Sequence, residues 1–544
     1  MIVVAPERYS DKSLHLWVEC SEANVLAEGW DSNPRYGPYN GFRVLGFSFM
    51  KKLWIDGEWV PGARGDRKVR RIENPATLEV VDEVVEGSAD DAKRACLKAA
   101  EAWRKWRHLP AIERGKLLHD AATKMREDRA RLSELLTLEG GKPRIENLDE
   151  VEWSAACFQY YAEIARNSHG MSIPPTGEHQ INFTIKEPLG VVAAIVPFNY
   201  PLLLLVWKIA PALAAGNTVV IKPSELTPLA TLRLVEHSMS HLPPGVVNVV
   251  TGTGQEVGEA LVDDPNVACI AFTGSTAVGT RIAVRAAAQL KRVNLELGGI
   301  DPLIVFEDAD LDIAVPGAAW ARYLNAGQVC TSAKRIYVVE KIAKPFIERF
   351  VAEAQTIRVG NPMDPETDMG PLISEKARAR VEDQVKRAVA QGAKVMAGGK
   401  RLDVGPGYFY APTVLSEVKV DHPVVCEEVF GPIASIEVVK DADQAISRAA
   451  QSEYGLGANI YTQNLTWAMR AMSEIKAGTF WINDPLTDND AAPFGGMRKS
   501  GMGRELGEEG LDAFRETKHV HLDFVPEKKS SWFPYRTRAK EIPE

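Results

Sequence analysis

The sequence predicts an α/β protein built on parallel sheets. Between residues 190 and 299, short apolar runs alternate with helical patterns, and such alternation places parallel strands side by side with helices on both faces. A second α/β block follows Asp301 and ends near Gly507. The chain has 544 residues, too long for one core, so two or three domains are expected.

Residues 1–49 mix Gly, Asn, Pro and Tyr without periodicity. They form an N-terminal extension, either a disordered arm or sequence upstream of a start at Met50. Residues 53–59 predict a hairpin turning at Asp56-Gly57. From 88 to 168 the periodicity is helical, capped by Ser88 with Asp90 and Asp91 and broken once at 140–143. Strands follow at 191–196 and 218–221 with a helix at 202–215 between them. Thr227-Pro228 then opens a helix to about Ser240, with Pro at its first position. Residues 246–250 and 267–272 are further strands. Residues 179–186 and 518–524 alternate polar and apolar side chains, as exposed strands outside the main sheets do. A charged tail follows, holding Trp532-Phe533-Pro534-Tyr535.

Bulk properties exclude several classes. The net charge of −9 disfavours nucleic acid and anionic membranes, which want a basic face. The six cysteines, Cys20, Cys96, Cys157, Cys269, Cys330 and Cys426, are scattered without a CxxC pair. That is neither a disulfide framework nor a zinc site; no metal is expected, and a reducing cytoplasm fits best. The most apolar stretch, 189–221, is interrupted by Pro197, Asn199, Pro201, Lys208 and Pro211, so it is a buried strand–turn–helix–strand and not a membrane span. The N-terminus has no signal-peptide pattern.

Five segments have residues suited to chemistry. Phe272-Thr273-Gly274-Ser275-Thr276-Ala277-Val278-Gly279 follows a buried strand and opens a helix, where backbone amides can hold a pyrophosphate or where glycine only serves a tight turn. Gly252-Thr253-Gly254 is a second glycine turn that could line the same cleft. In Leu295-Glu296-Leu297-Gly298-Gly299 a single acid sits among apolar residues; burial would raise its pKa and suit it to general-base work, whereas an exposed Glu would do nothing. Asn325-Ala326-Gly327-Gln328-Val329-Cys330-Thr331 presents a thiol on a turn, a nucleophile toward carbonyl carbon or a small buried hydrophobe. Pro197-Phe198-Asn199-Tyr200-Pro201 and Lys222-Pro223-Ser224-Glu225 each follow a strand end, where α/β sheets bind ligands. There Asn199 could donate to an oxyanion or cap a helix, and Lys222 with Glu225 could hold ribose hydroxyls or stay solvated.

The motifs FNYP, KPSE, FTGSTAVG, LELGG, GQVC, EEVFGP and PFGGMRKSG, in this order, resemble those of the aldehyde dehydrogenase superfamily of hydrolytic, NAD(P)-dependent type, from about Leu53 to Phe524. The resemblance implies a Rossmann-like cofactor domain (50–176 and 190–298), an α/β catalytic domain (299–510), oligomerisation strands (177–189 and 515–526) and a tail (527–544). It implies that Cys330 is the catalytic thiol, that Glu296, 34 residues earlier, is the general base, and that Asn199 and the Cys330 amide form the oxyanion hole. Glu505 resembles a second acid supporting proton relay. Pro197, Phe198, Lys222, Ser224, Glu225, Gly254, Gly274, Ser275, Gly279, Leu297, Glu428 and Phe430 fall at cofactor positions, the last two resembling the pair beside the nicotinamide riboside. Tyr200, Leu204, Trp207, Val329, Thr331 and Phe494 fall at positions resembling the substrate tunnel. Two departures stand out: Ile300 replaces a common Lys, and Ala277 a common Glu. Glu225 would accept from a free ribose 2′-hydroxyl and repel a 2′-phosphate, favouring NAD over NADP. The implied reaction is oxidation of a small aldehyde to the acid in a homodimer or homotetramer. The alternatives are a CoA-acylating semialdehyde dehydrogenase, which often lacks the base at Glu296, or a betaine- or amino-aldehyde enzyme, to which Asp484, Asp488 and Asp490 hint if they are not merely solvated.

Overall fold

The structure, a computed structural model, describes residues 52–63, 68–167, 169–541 and 543. The expected extension, residues 1–49, lies outside the described residues. Five parallel strands centre the first sheet, in spatial order Arg292–Glu296, Val267–Thr273, Val191–Ile195, Thr218–Lys222 and Val247–Val249. The chain enters in the middle at Val191–Ile195, steps outward to Val247–Val249, then crosses to Val267–Thr273 on the other side. Its order reverses between Ile195 and Thr273, so the loops leaving these two strands diverge and open a crevice at their carboxyl ends.

Antiparallel additions finish this sheet. The hairpin Leu53–Ile55 and Glu58–Val60 joins beside Val247–Val249, and both turn residues have positive φ, 60° at Asp56 and 81° at Gly57, as a two-residue hairpin requires. At the other edge Gly501–Met502 pairs with Arg292–Glu296. The second block therefore does not stay in its own layer to residue 507. Its last segment returns to the first sheet.

The second sheet runs Lys394–Ala397, Thr413–Ser416, Ile433–Val439, Arg335–Val339, Pro302–Val305, Gly457–Tyr461 and Thr479–Ile482, parallel except for its first pair. Both layers are of the parallel, Rossmann-like kind. A separate three-stranded antiparallel sheet joins Arg515–Asp523, Gln180–Pro188 and Ser172–Ile173. Among the described residues no helix is long and apolar enough to cross a membrane.

The helical region 89–167 is broken three times instead of once. Ser88 and Asp91 form a reciprocal capping box on Ala89–Trp106. Pro110 opens Ala111–Glu127, Asp128 ends that helix and starts Arg129–Gly140, and Gly141 closes the latter in a left-handed conformation at φ 78°. Helix Leu229–Leu234 differs too. Pro228 stands at its cap and makes no side-chain cap bond, Thr227 Oγ1 is unpartnered, and the helix continues as a π-turn through Met239. Its first amides are instead taken by the buried Glu139, which accepts from Leu229 at 2.7 Å and Ala230 at 2.9 Å. Glu150 likewise accepts from Leu202 and Leu203 at the start of Leu203–Ala215. A carboxylate delivered from a distant helix meets the positive end of each dipole.

Candidate active site

The crevice at the strand-order reversal is a cavity of about 330 Å³. Pro197, Phe198 and Asn199 form one lip, Thr273, Gly274 and Ser275 the other, and Cys330 closes the inner end beside Leu297, Gly298, Glu428 and Phe430. The rings of Phe198 and Phe430 meet edge to face at 5.9 Å. The outer wall comes from helix Glu375–Ala390, through Ala377, Arg380, Val381 and Gln384, preceded by Ile373 and Ser374. No motif pointed to this helix. Its signal was only an amphipathic pattern.

Cys330 sits on a turn that local chemistry forces. Asn325, Ala326 and Gly327 are all left-handed, at φ 48°, 55° and 70°. A Cβ on Gly327 would lie 2.3 Å from the Gly431 carbonyl oxygen, so only glycine fits. Ala326 pays about 1 kcal/mol for its conformation, and the surroundings hold it there. Asn325 Nδ2 donates to the Asn199 carbonyl at 3.2 Å, Gln328 Nε2 to the Asn325 carbonyl at 3.2 Å, and the Ile373 amide to Gln328 Oε1 at 2.9 Å. The buried Arg322 ties Ser332 Oγ (2.5 Å) to the carbonyls of Val429 (3.2 Å), Gly431 and Ile433 (2.6 Å), locking this turn against the segment that carries Glu428 and Phe430.

Asn199 Nδ2 donates to the Gln328 carbonyl at 3.0 Å. An amide nitrogen has two hydrogens, so one fixes the side chain and one remains. The Cys330 backbone amide donates to no acceptor among the described residues. Burial pushes the Cys330 thiol up to about 12; Lys334 pulls it down, and Asp301, Glu428 and Glu296 push it further up.

Glu296 ends strand Arg292–Glu296 and is buried. Its Oε2 accepts from the Gly496 amide at 3.1 Å, while Oε1 has no partner. Burial, then the charge of Glu505, hold its carboxyl well above the usual carboxylate range, against Lys208, the Gly496 amide and Arg504. Glu505 is raised by burial and lowered by Lys208, whose Nζ lies 2.5 Å from both Glu505 Oε1 and Thr273 Oγ1. Sequence reasoning had Lys208 only as an interruption in an apolar run. A lone lysine in a helix buried all round was the signal for its partner.

The residues at the expected cofactor positions are held in different ways. The Gly274 amide donates to the Glu296 carbonyl at 3.0 Å, so it is unavailable to a ligand, whereas the amides of Ser275, Thr276 and Ala277 at the start of Thr276–Ala287 find no acceptor among the described residues. Gly279 works by packing: a Cβ there would strike Leu297 Cδ2 at 2.2 Å. Gly254 lines a 60 Å³ cavity with Ile195, Phe272 and Ile282, at the start of a π-turn capped by Thr253. Lys222 is buried, with Nζ on the Pro223 carbonyl (2.8 Å) and 3.6 Å from Glu225; Ser224 Oγ accepts from the Leu226 amide (3.2 Å). Leu226, next to Glu225, lines the cleft.

On the other side of Cys330, Tyr200, Leu204, Trp207, Val329 and Phe494 belong to one apolar cluster against which the thiol packs. The rings of Trp207 and Phe494 lie 4.9 Å apart, and Thr331 is buried. Lys142 Nζ stands 3.6 Å over the Tyr200 ring. The three aspartates separate: the charge of Asp484 bears on Tyr461, that of Asp490 on Tyr160 and Cys157, and only that of Asp488 on Tyr200. Asp488 keeps access to solvent, and the protein around it pushes its carboxyl up to about 7.

Comparison with known proteins covers nearly all of this. The aldehyde dehydrogenase family model matches residues 59–520. Betaine aldehyde dehydrogenase of Bacillus subtilis is 40% identical over 490 residues, covering 88% of this chain and 99% of that protein. Retinal dehydrogenase 2 of Homo sapiens is 42% identical over 487 residues, covering 88% and 93%. A crystal structure of betaine aldehyde dehydrogenase from Staphylococcus aureus, in complex with NAD+, matches with a TM-score of 0.86 at 38% identity over 89% of this chain and 97% of that one.

Proposed function

The chain belongs to the aldehyde dehydrogenase family, and on that premise we propose that it oxidises an aldehyde to the carboxylic acid with NAD, through a thioester on Cys330 that water hydrolyses. The observation that carries this is that Asn199, with one Nδ2 hydrogen uncommitted, lines the same cavity as Cys330, whose backbone amide is also unengaged, together with Phe198 and Phe430.

The cleft suits a nicotinamide dinucleotide by its donor set. Three unengaged amides at a helix start fit a diphosphate. Phe198 and Phe430 offer apolar faces, and the Glu428 carboxylate can accept from ribose hydroxyls. Bound there, such a cofactor supplies the hydride acceptor. Glu225 favours the free 2′-hydroxyl of NAD.

The protein's own groups do the rest. The Cys330 thiol gives up its proton to solvent, and its sulfur attacks the aldehyde carbon, turning the carbonyl oxygen into the oxyanion of a thiohemiacetal. Asn199 and the Cys330 amide hold the oxyanion, each such donor contributing about 3–4 kcal/mol to the barrier. Once the carbon is oxidised, Cys330 carries a thioester. Glu296, kept basic by burial and by Glu505, takes a proton from water, which attacks the thioester and frees the acid. The Glu505–Lys208 pair next to it can pass that proton on.

Tyr200, Leu204, Trp207, Val329 and Phe494 favour an apolar substrate. A cationic aldehyde is the second reading, supported by the charge of Asp488, which bears on Tyr200. Ile181, Ile185 and Leu522 are exposed on the three-stranded sheet, which supports a homodimer or homotetramer joined there. The five described cysteines are free, consistent with a reducing cytoplasm.

The test is NADH formation with hexanal, benzaldehyde and betaine aldehyde, with and without CoA. Acid formed in step with NADH without CoA is expected; strict CoA dependence would contradict the hydrolytic step.

A further inference from the structure

Among the buried lysines that take no part in the reaction scheme, one lies beside the nucleophile. Lys334 lies four residues after Cys330 and just before strand Arg335–Val339. Its side chain is almost wholly buried. Its Nζ donates to the Val329 carbonyl at 3.1 Å and to the Cys330 carbonyl at 2.5 Å. Burial lowers its pKa, and the carboxylates of Glu428 and Asp301 oppose this.

The two carbonyls matter because of what lies on the other end of each peptide. A trans peptide is planar, with C=O and N–H pointing opposite ways. Holding the Val329 carbonyl therefore aims the Cys330 N–H to the opposite side, which is the proposed oxyanion donor. Holding the Cys330 carbonyl fixes the peptide that follows. The Ser332 amide also donates to the Val329 carbonyl, at 3.3 Å, so the ammonium shares the plane before the thiol-bearing Cα and, among the described residues, alone holds the carbonyl after it.

Charge gives Lys334 a second effect. The groups that bear on the thiol come from four elements: Asp301 from the start of strand Pro302–Val305, Glu428 from the loop after helix Pro423–Cys426, Glu296 from its strand end, and Lys334 from the nucleophile loop. Three are carboxylates that oppose a thiolate, and Lys334 is the cation that favours one. Arg322 also bears on Lys334, but its guanidinium is committed to Ser332 and the carbonyls at 429–433.

We propose that Lys334 is a positioning residue for the nucleophile, aiming the Cys330 amide at the oxyanion and offsetting the surrounding carboxylates so that the Cys330 thiolate can form. This rests on Cys330 being the nucleophile. It assigns the thiol's activation to a group of the loop itself.

The experiment is iodoacetamide alkylation of the full-length protein across the neutral and alkaline range, read at the Cys330 peptide by mass spectrometry so that the exposed Cys426 does not interfere. Three variants separate charge from hydrogen bonding. Lys334→Met removes both, Lys334→Gln keeps a neutral donor, and Lys334→Arg keeps the charge. Lys334→Met and Lys334→Gln should move the alkylation limb to higher pH, cutting the rate near neutrality about tenfold. Lys334→Arg should stay near wild type. With aldehyde, Lys334→Met should lower kcat more than it raises KM, and Lys334→Gln should recover part of that loss. An unshifted limb in either uncharged variant overturns the proposal, as does a Lys334→Arg limb shifted as far as that of Lys334→Met; if Lys334→Met does not fold, Lys334→Gln decides. Undiminished oxidation by Cys330→Ala would sink the nucleophile assignment instead, without touching the alkylation profile.

Discussion

Two buried lysine–glutamate pairs meet helix Leu203–Ala215, one at its start and one through Lys208 within it, and they differ in what is left over. In the first, Glu150 spends Oε1 on the amides of Leu202 and Leu203 and Oε2 on Lys142, whose ammonium also stands over the Tyr200 ring and reaches the Asn199 carbonyl at 3.4 Å. Both oxygens of Glu150 and the Lys142 ammonium have partners. In the second, Lys208 meets Glu505 Oε1 and Thr273 Oγ1 at 2.5 Å each, but Glu505 Oε2 has no partner, nor does the nearby Glu296 Oε1. Buried unsatisfied oxygens are rare and costly. A saturated pair builds the loop that carries Asn199; an unsaturated pair beside a raised carboxyl is a place where a proton can come and go.

Breaking the saturated pair should have the largest effect on the fold. Glu150→Ala leaves the Lys142 ammonium buried and two helix amides uncapped, so urea unfolding should show a loss of about 3–5 kcal/mol. Removing the donor that this pair positions should strike rate and not stability. For Asn199→Ala, kcat should fall about 10²–10³-fold with little change in melting temperature; an equal loss of stability would make Asn199 structural.

The unsaturated pair should instead be read in pH. Glu296 must be ionised to act as a base, and its carboxyl is held high, so activity should climb as pH rises through its titration. Glu505→Gln removes the like charge that raises Glu296 and leaves Lys208 uncompensated. Both effects favour ionised Glu296, so the limb should move to lower pH, by about one unit. A limb that moves up or stays still would separate Glu505 from the base. The smallest effect is expected outside both pairs: Glu225→Gln should improve NADP use relative to NAD by about fivefold or less, since Glu225 is partly solvated.

What the sequence made legible follows the same division. The hairpin at Asp56-Gly57 and the capped start at Ser88 were readable because their chemistry is local: two left-handed turn residues, and a serine three residues before an aspartate. The helix beginning at Leu229 was misjudged at its start because Glu139, 90 residues earlier, supplies the cap. The thiol, Asn199 and Glu296 were singled out by motif, and the fold brings Asn199 to the cleft with Cys330. Their supporting cations were not. Arg322, Lys334 and Lys142 look like ordinary charges in sequence, and only burial against specific carbonyls and carboxylates gives them a role. In the glycine turn at Gly274 the pattern was legible, but that the Gly274 amide is bonded to the Glu296 carbonyl while those of Ser275, Thr276 and Ala277 stay unengaged follows from the neighbouring strand and not from the motif.

The most direct measurement uses Glu296→Gln. Mixed with aldehyde and NAD, this variant should release about one NADH per chain in a burst and then stall, and mass spectrometry should find the acyl group of the substrate on the peptide containing Cys330. A burst without an adduct on Cys330, or steady turnover at the wild-type rate, would contradict a Cys330 thioester resolved by Glu296.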